Sequence, residues 1–192
     1  MTQHPPAALP FTSDRLVILD RDGVINQDSE AYVKSLAEFT PYPRAIDAIA
    51  QLSQAGYAVA IATNQSGIAR GYFDADTLEQ MHAHLTALVE RAGGKLNDIA
   101  YCPHGPDDGC DCRKPLPGLL NRIQDTLALT TLEGSWMIGD SLRDLQAGEA
   151  AGCHQALVRT GKGKHTEARR QYADGTPVFD DLATFVDWLL AG

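Results

Sequence analysis

The chain has little of several features that would each mark a particular class of protein. None of its apolar runs approaches the roughly 20 residues that a membrane-spanning helix needs. Lys and Arg number 16 against 25 Asp and Glu, and the net charge of -9 argues against a surface that follows the phosphates of a nucleic acid. Aromatic residues make up only 7% of the chain, although 44% of it is hydrophobic. These values fit a soluble domain whose partners include neither a membrane nor a nucleic acid.

The first residues also lack a secretory signal. The segment 1–6, MTQHPP, has neither a basic start nor an apolar core. Because an exported chain would favour disulfides, we expect reduced cysteines and a cytoplasmic location. A chain of 192 residues is long enough for one self-sufficient core. We therefore predict a flexible leader over residues 1–12 and a single domain over residues 13–192, and we expect a monomer.

An apolar segment with strand character, residues 16–19, delivers two carboxylates to its end. Asp20 and Asp22 are one residue apart, and a strand would place them on the same face. In a parallel α/β sheet, ligands bind in the crevice beyond the carboxyl ends of the strands. One carboxylate can attack phosphorus while a neighbour of raised pKa protonates the departing alkoxide, and the pair also favours Mg²⁺. The alternative is an acidic turn that bends at Gly23.

Two later strand ends carry polar groups that suit the same chemistry. Thr63 closes a second apolar run, and its hydroxyl, the amides that follow it and the backbone near Gly67 can surround phosphoryl oxygens. Asp140 closes a third apolar run, and Asp144 follows it on the next predicted helix, which offers further carboxylates to a metal. A polar turn at each strand end is the alternative.

A basic pair, Arg113 and Lys114, stands just ahead of another predicted helix. Lys114 can neutralise a phosphoryl oxygen as negative charge shifts in a transition state. Because the overall charge is negative, an anionic substrate would have to be met locally by a metal and by these two cations. Basic pairs are more often simply solvated, so the spacing alone leaves both interpretations open.

The cysteines give an independent signal, because three of them lie in one short segment with a histidine. Cys102 and His104 are followed closely by Cys110 and Cys112. Three thiolates and one imidazole make a structural zinc site of the Cys₃His kind, with no coordination position left for catalysis. Such a site would fasten a loop over residues 102–112 that is rich in Pro, Gly and Asp. The alternative is a set of reduced thiols or a disulfide in that loop.

Strand and helix patterns alternate along the chain, which predicts a Rossmann-like, doubly wound parallel sheet with helices on both faces. The interval 25–43 is too short to hold a separate cap domain, so the site should be open and bordered by loops. We predict strands that end near residues 20, 63, 101, 140 and 158, and helices over residues 43–55, 74–92, 117–129, 141–151 and 181–190. Residues 162–165 are expected to lie in a polar loop.

The acid pair, the hydroxyl, the lysine and the Gly-Asp pair occur in an order that resembles the four motifs of the haloacid dehalogenase superfamily of phosphatases. The resemblance runs from Leu16 to Arg159. Within the superfamily the chain is similar to the D-glycero-D-manno-heptose-1,7-bisphosphate 7-phosphatases, which have the histidinol-phosphate phosphatases as near relatives. The segments that carry the similarity are 19–26 (LDRDGVIN), 63–71 (TNQSGIARG), 101–115 and 137–140 (MIGD).

The resemblance implies a role for each matching residue. Asp20 would be the nucleophile that forms an aspartyl-phosphate, and Asp22 would be the general acid and base. Thr63 and Lys114 would hold the phosphoryl group. The substrate-binding residues would be Asn64, Gln65 and Arg113. The Mg²⁺ ligands would be the carboxylates of Asp20 and Asp140 and the backbone carbonyl of Asp22.

The activity implied by the resemblance is Mg²⁺-dependent release of the 7-phosphate of a heptose 1,7-bisphosphate, in the synthesis of heptose nucleotides for the lipopolysaccharide core. Another phosphomonoesterase activity, such as that on histidinol phosphate, can use the same motifs. A third hypothesis is a non-catalytic, zinc-stabilised domain that retains a phosphate pocket. The presence of both members of the acid pair, of the hydroxyl and of the lysine speaks against that third hypothesis.

Overall fold

A six-stranded, all-parallel sheet forms the centre of the protein. The computed structural model describes residues 11–192, so most of the predicted leader lies outside the described residues. The strands follow the order β3-β2-β1-β4-β5-β6 across the sheet. Their bounds are β1 Leu16–Leu19, β2 Ala58–Asn64, β3 Asp98–Cys102, β4 Trp136–Gly139, β5 His154–Val158 and β6 Val178–Phe179.

Helices cover both faces of this sheet because alternate residues of each strand point in opposite directions. Val17 and Leu19 pack with the helices on one face, whereas Leu16 and Ile18 pack with the helices on the other face. All four β1 side chains are fully buried. The helices are α1 Ala45–Gln54, α2 Ala75–Arg91, α3 Gly118–Thr126, α4 Leu142–Ala150, α5 Gly163–Arg169 and α6 Leu182–Ala191.

The strand order places a topological switch point beside β1. The chain runs outward from β1 through β2 to β3, then returns to place β4 on the other side of β1. In open sheets of this kind the crevice beyond the carboxyl ends of the strands at the switch point is where ligands bind. The carboxyl ends of β1, β2 and β4 therefore define the place where a site is expected.

The predicted doubly wound fold is confirmed, and every predicted strand and helix is present within a few residues of its expected bounds. The predicted polar loop at 162–165 is wrong, because helix α5 begins at Gly163. Helix α5 has only seven residues, and the hydroxyl of Thr166 is bonded to the Asp140 carbonyl at 2.8 Å. A contact with a distant residue, rather than local sequence, stabilises this short helix.

Small connections border the carboxyl edge of the sheet. The chain between β1 and α1 forms one 3-10 helix, Leu36–Glu38, and otherwise consists of turns and extended backbone. None of the helices found between residues 11 and 192 has both the length and the apolar character needed to cross a bilayer. The loops after β1 and β3 both border the crevice, as the sequence predicted, and the segments after β2 and β4 line it as well.

Candidate active site

A cleft of about 440 Å³ opens beyond the carboxyl ends of β1, β2 and β4. It brings together residues that are more than 100 positions apart in the chain. All of the catalytic and substrate-binding residues predicted from the sequence contribute to its walls, together with the predicted magnesium ligands. These residues are Asp20, Asp22, Thr63, Asn64, Gln65, Arg113, Lys114 and Asp140.

Lys114 lies at the bottom of the cleft and is only 2% exposed. Its ammonium group is 2.9 Å from an Asp20 carboxylate oxygen and 2.7 Å from an Asp144 oxygen, and it donates to the Ala62 carbonyl at 2.6 Å. Burial alone disfavours the charged lysine, but the charges of Asp144 and Asp20 outweigh it and raise the pKa of Lys114. The cation is therefore fixed and permanently charged beside the predicted nucleophile.

Asp20, Asp140 and Asp144 form an acidic cluster in which one oxygen of each lies within 4.8 Å of the others. Burial, followed by repulsion from Asp144, raises the pKa of Asp20 to about 7. Burial, with Asp144 and then Asp20 next in importance, raises the pKa of Asp140 to about 8. Carboxylates in this state favour a divalent cation, because its charge offsets both the burial and the repulsion.

The members of the acidic cluster differ in how many of their carboxylate oxygens already bind other groups of the protein. Asp144 binds Lys114 through one oxygen, and its other oxygen accepts from the backbone N–H of Ser141 at 3.0 Å and from the Ser141 hydroxyl at 2.8 Å. The bond from the Ser141 backbone N–H is one half of a capping box at the start of helix α4. Asp144 thus orients Lys114, which leaves Asp20 and Asp140 as the side chains available to a cation.

The backbone carbonyl of Asp22 is the third oxygen donor that the sequence predicts for the metal. Among the described residues no backbone N–H outside regular elements donates to it, although the Arg21 carbonyl accepts from three residues in the same turn. Two carboxylates and one carbonyl are the hard oxygen donors that Mg²⁺ takes while it keeps several waters. The donor set thus fits the predicted magnesium ion.

The carboxylate of Asp22 is held by four donor groups on three neighbouring side chains. Arg21 binds it through Nη2 at 2.8 and 3.0 Å and through Nε at 3.1 Å, and Asn26 and Gln65 each donate a side-chain N–H at 2.8 Å. Burial opposes ionisation, but Arg21 and the two amides outweigh it and lower the pKa of Asp22. The carboxylate is therefore held as an ion in the free protein, whereas a raised pKa was expected from its predicted role.

Arg21 and His82 are residues of the site that sequence reasoning missed. Arg21 is fully buried, and its Nη1 lies 3.2 Å from Nε2 of His82 on helix α2. Because a guanidinium only donates, the histidine ring must accept at that nitrogen. Burial and the adjacent Arg21 charge lower the pKa of His82 to about 3, which keeps the ring neutral. The pair connects α2 to Asp22 through a buried cation.

Sequence gave no signal for this pair because strand β1 ends at Leu19. Residues 20–22 follow the strand, so the alternation that was invoked to align Asp20 and Asp22 does not extend to them. Both carboxylates nevertheless line the same cleft, because the chain turns at this point. The turn also directs Arg21 inward, where an alternating strand would have placed it on the opposite face.

The polar segment after β2 supports its neighbours as well as the cleft. Thr63 is 1% exposed, and its hydroxyl accepts from the Gln65 amide at 2.9 Å. Asn64 accepts from the backbone N–H of Lys114 at 3.0 Å and donates to the carbonyl of that residue at 3.1 Å. In the free protein, then, Asn64 and Gln65 fix Lys114, Thr63 and Asp22 in position.

Arg113 borders the cleft from the loop after β3. It is half-buried, and its guanidinium donates to the His104 carbonyl at 3.3 Å. Three other cations contribute to the walls of the cleft, namely Arg70, Arg143 and Lys162. A protein of net charge -9 therefore presents several positive groups at this one opening. These cations can each contact an anionic group, which suits a substrate with more than one such group.

The predicted zinc ligands converge in the same loop. Cys102 Sγ lies 3.5 Å from His104 Nδ1, 3.7 Å from Cys110 Sγ and 3.1 Å from Cys112 Sγ, and His104 Nδ1 lies 3.3 Å from Cys112 Sγ. All four cysteines of the chain are free thiols. A Zn–S bond of about 2.3 Å in a tetrahedron separates the sulfurs by about 3.8 Å. The four ligands thus fit a zinc ion, and their arrangement excludes a disulfide in this structure.

We expect one tightly bound zinc per chain. Elemental analysis of protein purified without added metal should find it, and Cys110→Ser should lose the metal and lower activity by on the order of 10- to 100-fold. The far-ultraviolet circular dichroism of this variant should stay near that of the parent, because the site fastens one peripheral loop. Cys153→Ala is the control, since that buried thiol lies outside the loop. A zinc-free parent with full activity would contradict the prediction.

Comparisons with known proteins show what this chain is similar to. A family model described as HAD-hydrolase-like matches residues 111–185. The D-glycero-beta-D-manno-heptose-1,7-bisphosphate 7-phosphatase of Pseudomonas putida is 56% identical over 176 residues, which cover 92% of this chain and 99% of the relative. The enzyme of the same name from Neisseria meningitidis serogroup A is 49% identical over 180 residues, with 92% and 95% covered.

A solved structure resembles the fold closely. It is that of D,D-heptose 1,7-bisphosphate phosphatase from Bordetella bronchiseptica, complexed with magnesium and phosphate. It is 50% identical to this chain, covers 92% of it and 98% of its own length, and superposes with a TM-score of 0.89. The corresponding phosphatase from Burkholderia thailandensis is 38% identical over 93% of this chain and 99% of its own, with a TM-score of 0.67.

Proposed function

The chain belongs to the haloacid dehalogenase-like family of D-glycero-beta-D-manno-heptose-1,7-bisphosphate 7-phosphatases, and on that premise we propose how its residues release the 7-phosphate of such a bisphosphate. The observation that carries the proposal is the position of Asp20. Its carboxylate lies 2.9 Å from the buried Lys114 ammonium and within the cluster that contains Asp140. A nucleophile, a fixed cation and a metal position therefore meet at one point in the cleft.

Asp20 attacks the phosphorus of the primary phosphate and forms an aspartyl-phosphate, while the sugar alkoxide departs. Lys114 stands beside the attacking carboxylate and meets the charge on the phosphoryl oxygens. The Thr63 hydroxyl provides a further hydrogen bond to that group from the end of β2. Water then hydrolyses the aspartyl-phosphate, which restores Asp20 and releases inorganic phosphate.

Asp22 protonates the leaving alkoxide and later removes a proton from the attacking water. In the free protein Arg21, Asn26 and Gln65 hold it as a carboxylate, so it must take up a proton when substrate binds. The two negative charges of a phosphoryl group nearby would raise its pKa. Substrate binding thus raises the pKa of Asp22, which is lowered in the free protein.

Asp20, Asp140 and the Asp22 carbonyl would hold Mg²⁺. When bound, the ion supplies charge that polarises the phosphoryl group and offsets repulsion between the phosphate and the carboxylates. The zinc ligands have a separate, structural role, because Arg113 and Lys114 directly follow Cys112 in the chain. Fastening the loop positions both cations at the cleft.

Arg113 is proposed to bind the sugar or its distal phosphate. The other cations at the cleft support this assignment, because a bisphosphate carries a second anionic group. Zinc binding requires reduced thiols, which supports a cytoplasmic location. The proposed substrate in turn supports a role in the synthesis of heptose nucleotides for the lipopolysaccharide core.

Phosphorus NMR of the reaction on a heptose 1,7-bisphosphate tests the proposal. We expect loss of the phosphate at carbon 7 and retention of the anomeric phosphate. Arg113→Ala should raise KM for the bisphosphate more than for a simple monophosphate, by roughly 10- to 150-fold, which corresponds to the 1.5 to 3 kcal/mol of a hydrogen bond to a charged group. Zinc content should stay at the parent value.

Arg122→Ala provides the matched control, because that arginine is exposed on α3 and does not line the cleft. Its KM values should equal those of the parent. Release of the anomeric phosphate, or a clear preference for histidinol phosphate, would overturn the substrate assignment while leaving the phosphatase chemistry intact. Failure to hydrolyse any phosphomonoester in the presence of Mg²⁺ would instead favour a non-catalytic phosphate-binding domain.

A further inference from the structure

The segment Thr160–Lys162, here called the strap, reaches the cleft at Lys162 and takes no part in the proposed catalytic steps. It links strand β5 to helix α5. Only its last residue, Lys162, falls within the polar loop predicted over residues 162–165, and each of its three residues makes a specific polar contact. Two of these contacts reach groups of the proposed magnesium site, and the third reaches the Tyr42 hydroxyl.

The first of these groups is the Asp140 carboxylate. The backbone N–H of Lys162 donates to Asp140 Oδ2 at 2.7 Å, and the Thr166 hydroxyl, one turn into α5, donates to the Asp140 backbone carbonyl at 2.8 Å. Asp140 is only 3% exposed, so few other orientations are open to its side chain. The strap and the first turn of α5 therefore fix both the side chain and the backbone of this residue.

The second group is the turn that contains the Asp22 carbonyl. The Thr160 hydroxyl donates to the Gly23 carbonyl at 2.6 Å, across 137 positions of sequence. The backbone N–H of Gly161 donates to the Tyr42 hydroxyl at 3.1 Å, which ties the strap to the connection that precedes α1. The turn is thus held at Gly23, the residue that directly follows Asp22.

Close packing makes the central glycine necessary. A Cβ atom on Gly161 would overlap the Asp140 Oδ2 atom and the Gly23 Cα atom, although the residue is exposed on its other side. Its φ of +55° is also in the region that favours glycine. Gly161 therefore lets the strap touch the carboxylate and the turn at the same time.

We propose that the strap Thr160–Lys162 is a positioning element for magnesium, which sets the distance between the Asp140 carboxylate and the Asp22–Gly23 turn. The proposal rests on the proposed function, because it assumes that these groups hold the ion. Partners of metal ligands commonly change affinity when they are altered, by about 10- to 100-fold. A connection that only joined β5 to α5 would change stability and leave metal affinity unaltered.

Calorimetric titration with Mg²⁺ alone tests the proposal without substrate or turnover. We expect Gly161→Ala to weaken Mg²⁺ binding by on the order of tenfold or more, and Thr160→Val to weaken it several-fold. Thr160→Ser keeps the hydroxyl and should bind Mg²⁺ within about twofold of the parent. Fluorescence-monitored unfolding of the same samples separates lost affinity from lost structure.

Two matched controls come from the loop before β6. Gly175→Ala imposes the same kind of backbone strain, since Gly175 has a φ of +87°, but its added Cβ would meet no atom within 4 Å. Thr176→Val removes a threonine hydroxyl that donates to a backbone carbonyl, that of Ala173, at 2.8 Å. Neither residue contributes to the cleft, so both variants should bind Mg²⁺ as the parent does.

The outcomes separate the strap from the function on which it rests. If the parent binds Mg²⁺ and Asp140→Asn does not, but the Gly161 and Thr160 variants match the parent, the strap proposal is overturned alone. If Asp140→Asn binds Mg²⁺ as well as the parent does, the metal assignment and the strap proposal both fail. If Gly161→Ala does not fold, the comparison of Thr160→Val with Thr160→Ser decides, and equal affinities would overturn the proposal.

Discussion

Asp20→Asn is expected to lower turnover of the bisphosphate by on the order of 10⁴-fold or more, because an amide cannot form the aspartyl-phosphate. The amide has nearly the same shape as the carboxylate, so the fold and the cleft should persist. Steady-state kinetics with Mg²⁺ at saturation measure the effect. Asp47→Asn, which changes an exposed acid on α1, should leave turnover at the parent value.

Asp20→Asn should also unfold at a higher temperature than the parent in magnesium-free buffer. Burial, followed by repulsion from Asp144, raises the pKa of Asp20 from 3.8 to about 7. Between these two values the folded state holds a proton that the unfolded chain releases, so the parent loses stability as the pH rises. An asparagine has no proton to lose. The advantage of Asp20→Asn should therefore grow from pH 4 to pH 7 and then level off.

Either result can go against the assignment. Turnover of Asp20→Asn within tenfold of the parent would exclude Asp20 as the nucleophile. A variant whose stability follows that of the parent across this pH range would show that Asp20 ionises normally in the metal-free cleft. The second outcome would remove the electrostatic argument for a cation beside Asp20 while leaving its nucleophilic role untouched.

Asp22→Asn is expected to slow hydrolysis of the bisphosphate by about 10²- to 10⁴-fold, because the alkoxide then departs without a proton. The loss should be much smaller for p-nitrophenyl phosphate, since a nitrophenolate needs no protonation as it leaves. Single-turnover measurements on both substrates isolate the first step. The ratio of the two losses, rather than either one, identifies the proton donor.

The buried arginine adds a second readout for Asp22. Removing the negative charge leaves Arg21 fully buried without its ion pair, so the variant should also unfold at a lower temperature than the parent. Kinetics must therefore be compared at a temperature where both proteins are folded. Equal losses on the two substrates would contradict the proton-donor assignment and would leave Asp22 as a partner of Arg21.

Much of the architecture follows from patterns that local sequence carries. The apolar runs before Asp20, Thr63 and Asp140 predict buried parallel strands, and the helices between them predict the crossovers of a doubly wound sheet. Since the carboxyl ends of such strands share one edge, the polar residues that follow them must meet. The spacing of three cysteines with a histidine predicts the zinc ligands in the same way, because one short loop supplies all four.

What could not be predicted depends on contacts between distant segments. Arg21 pairs with His82 from 61 positions away, and no periodicity relates a turn to the face of a later helix. Helix α5 is too short to show an amphipathic pattern in the sequence. The bond that stabilises it, from Thr166 to Asp140, spans 26 positions of the chain. Asn64 looks like a ligand for substrate in the sequence, yet its amide holds the backbone of Lys114, a use that only the fold reveals.

The zinc-fastened loop bears on how substrate preference can be changed in this protein. Its metal ligands fix the two ends of residues 102–112, whereas the interior residues 105–109 contain two glycines and a proline and border a second cavity of about 420 Å³ beside Arg113. Anchors that do not depend on those interior residues leave them free to be exchanged. The segment between His104 and Cys110 is thus the place to vary the sequence. A library of inserts there can change the shape of the cleft entrance beside Arg113 while the zinc ligands keep Lys114 in position.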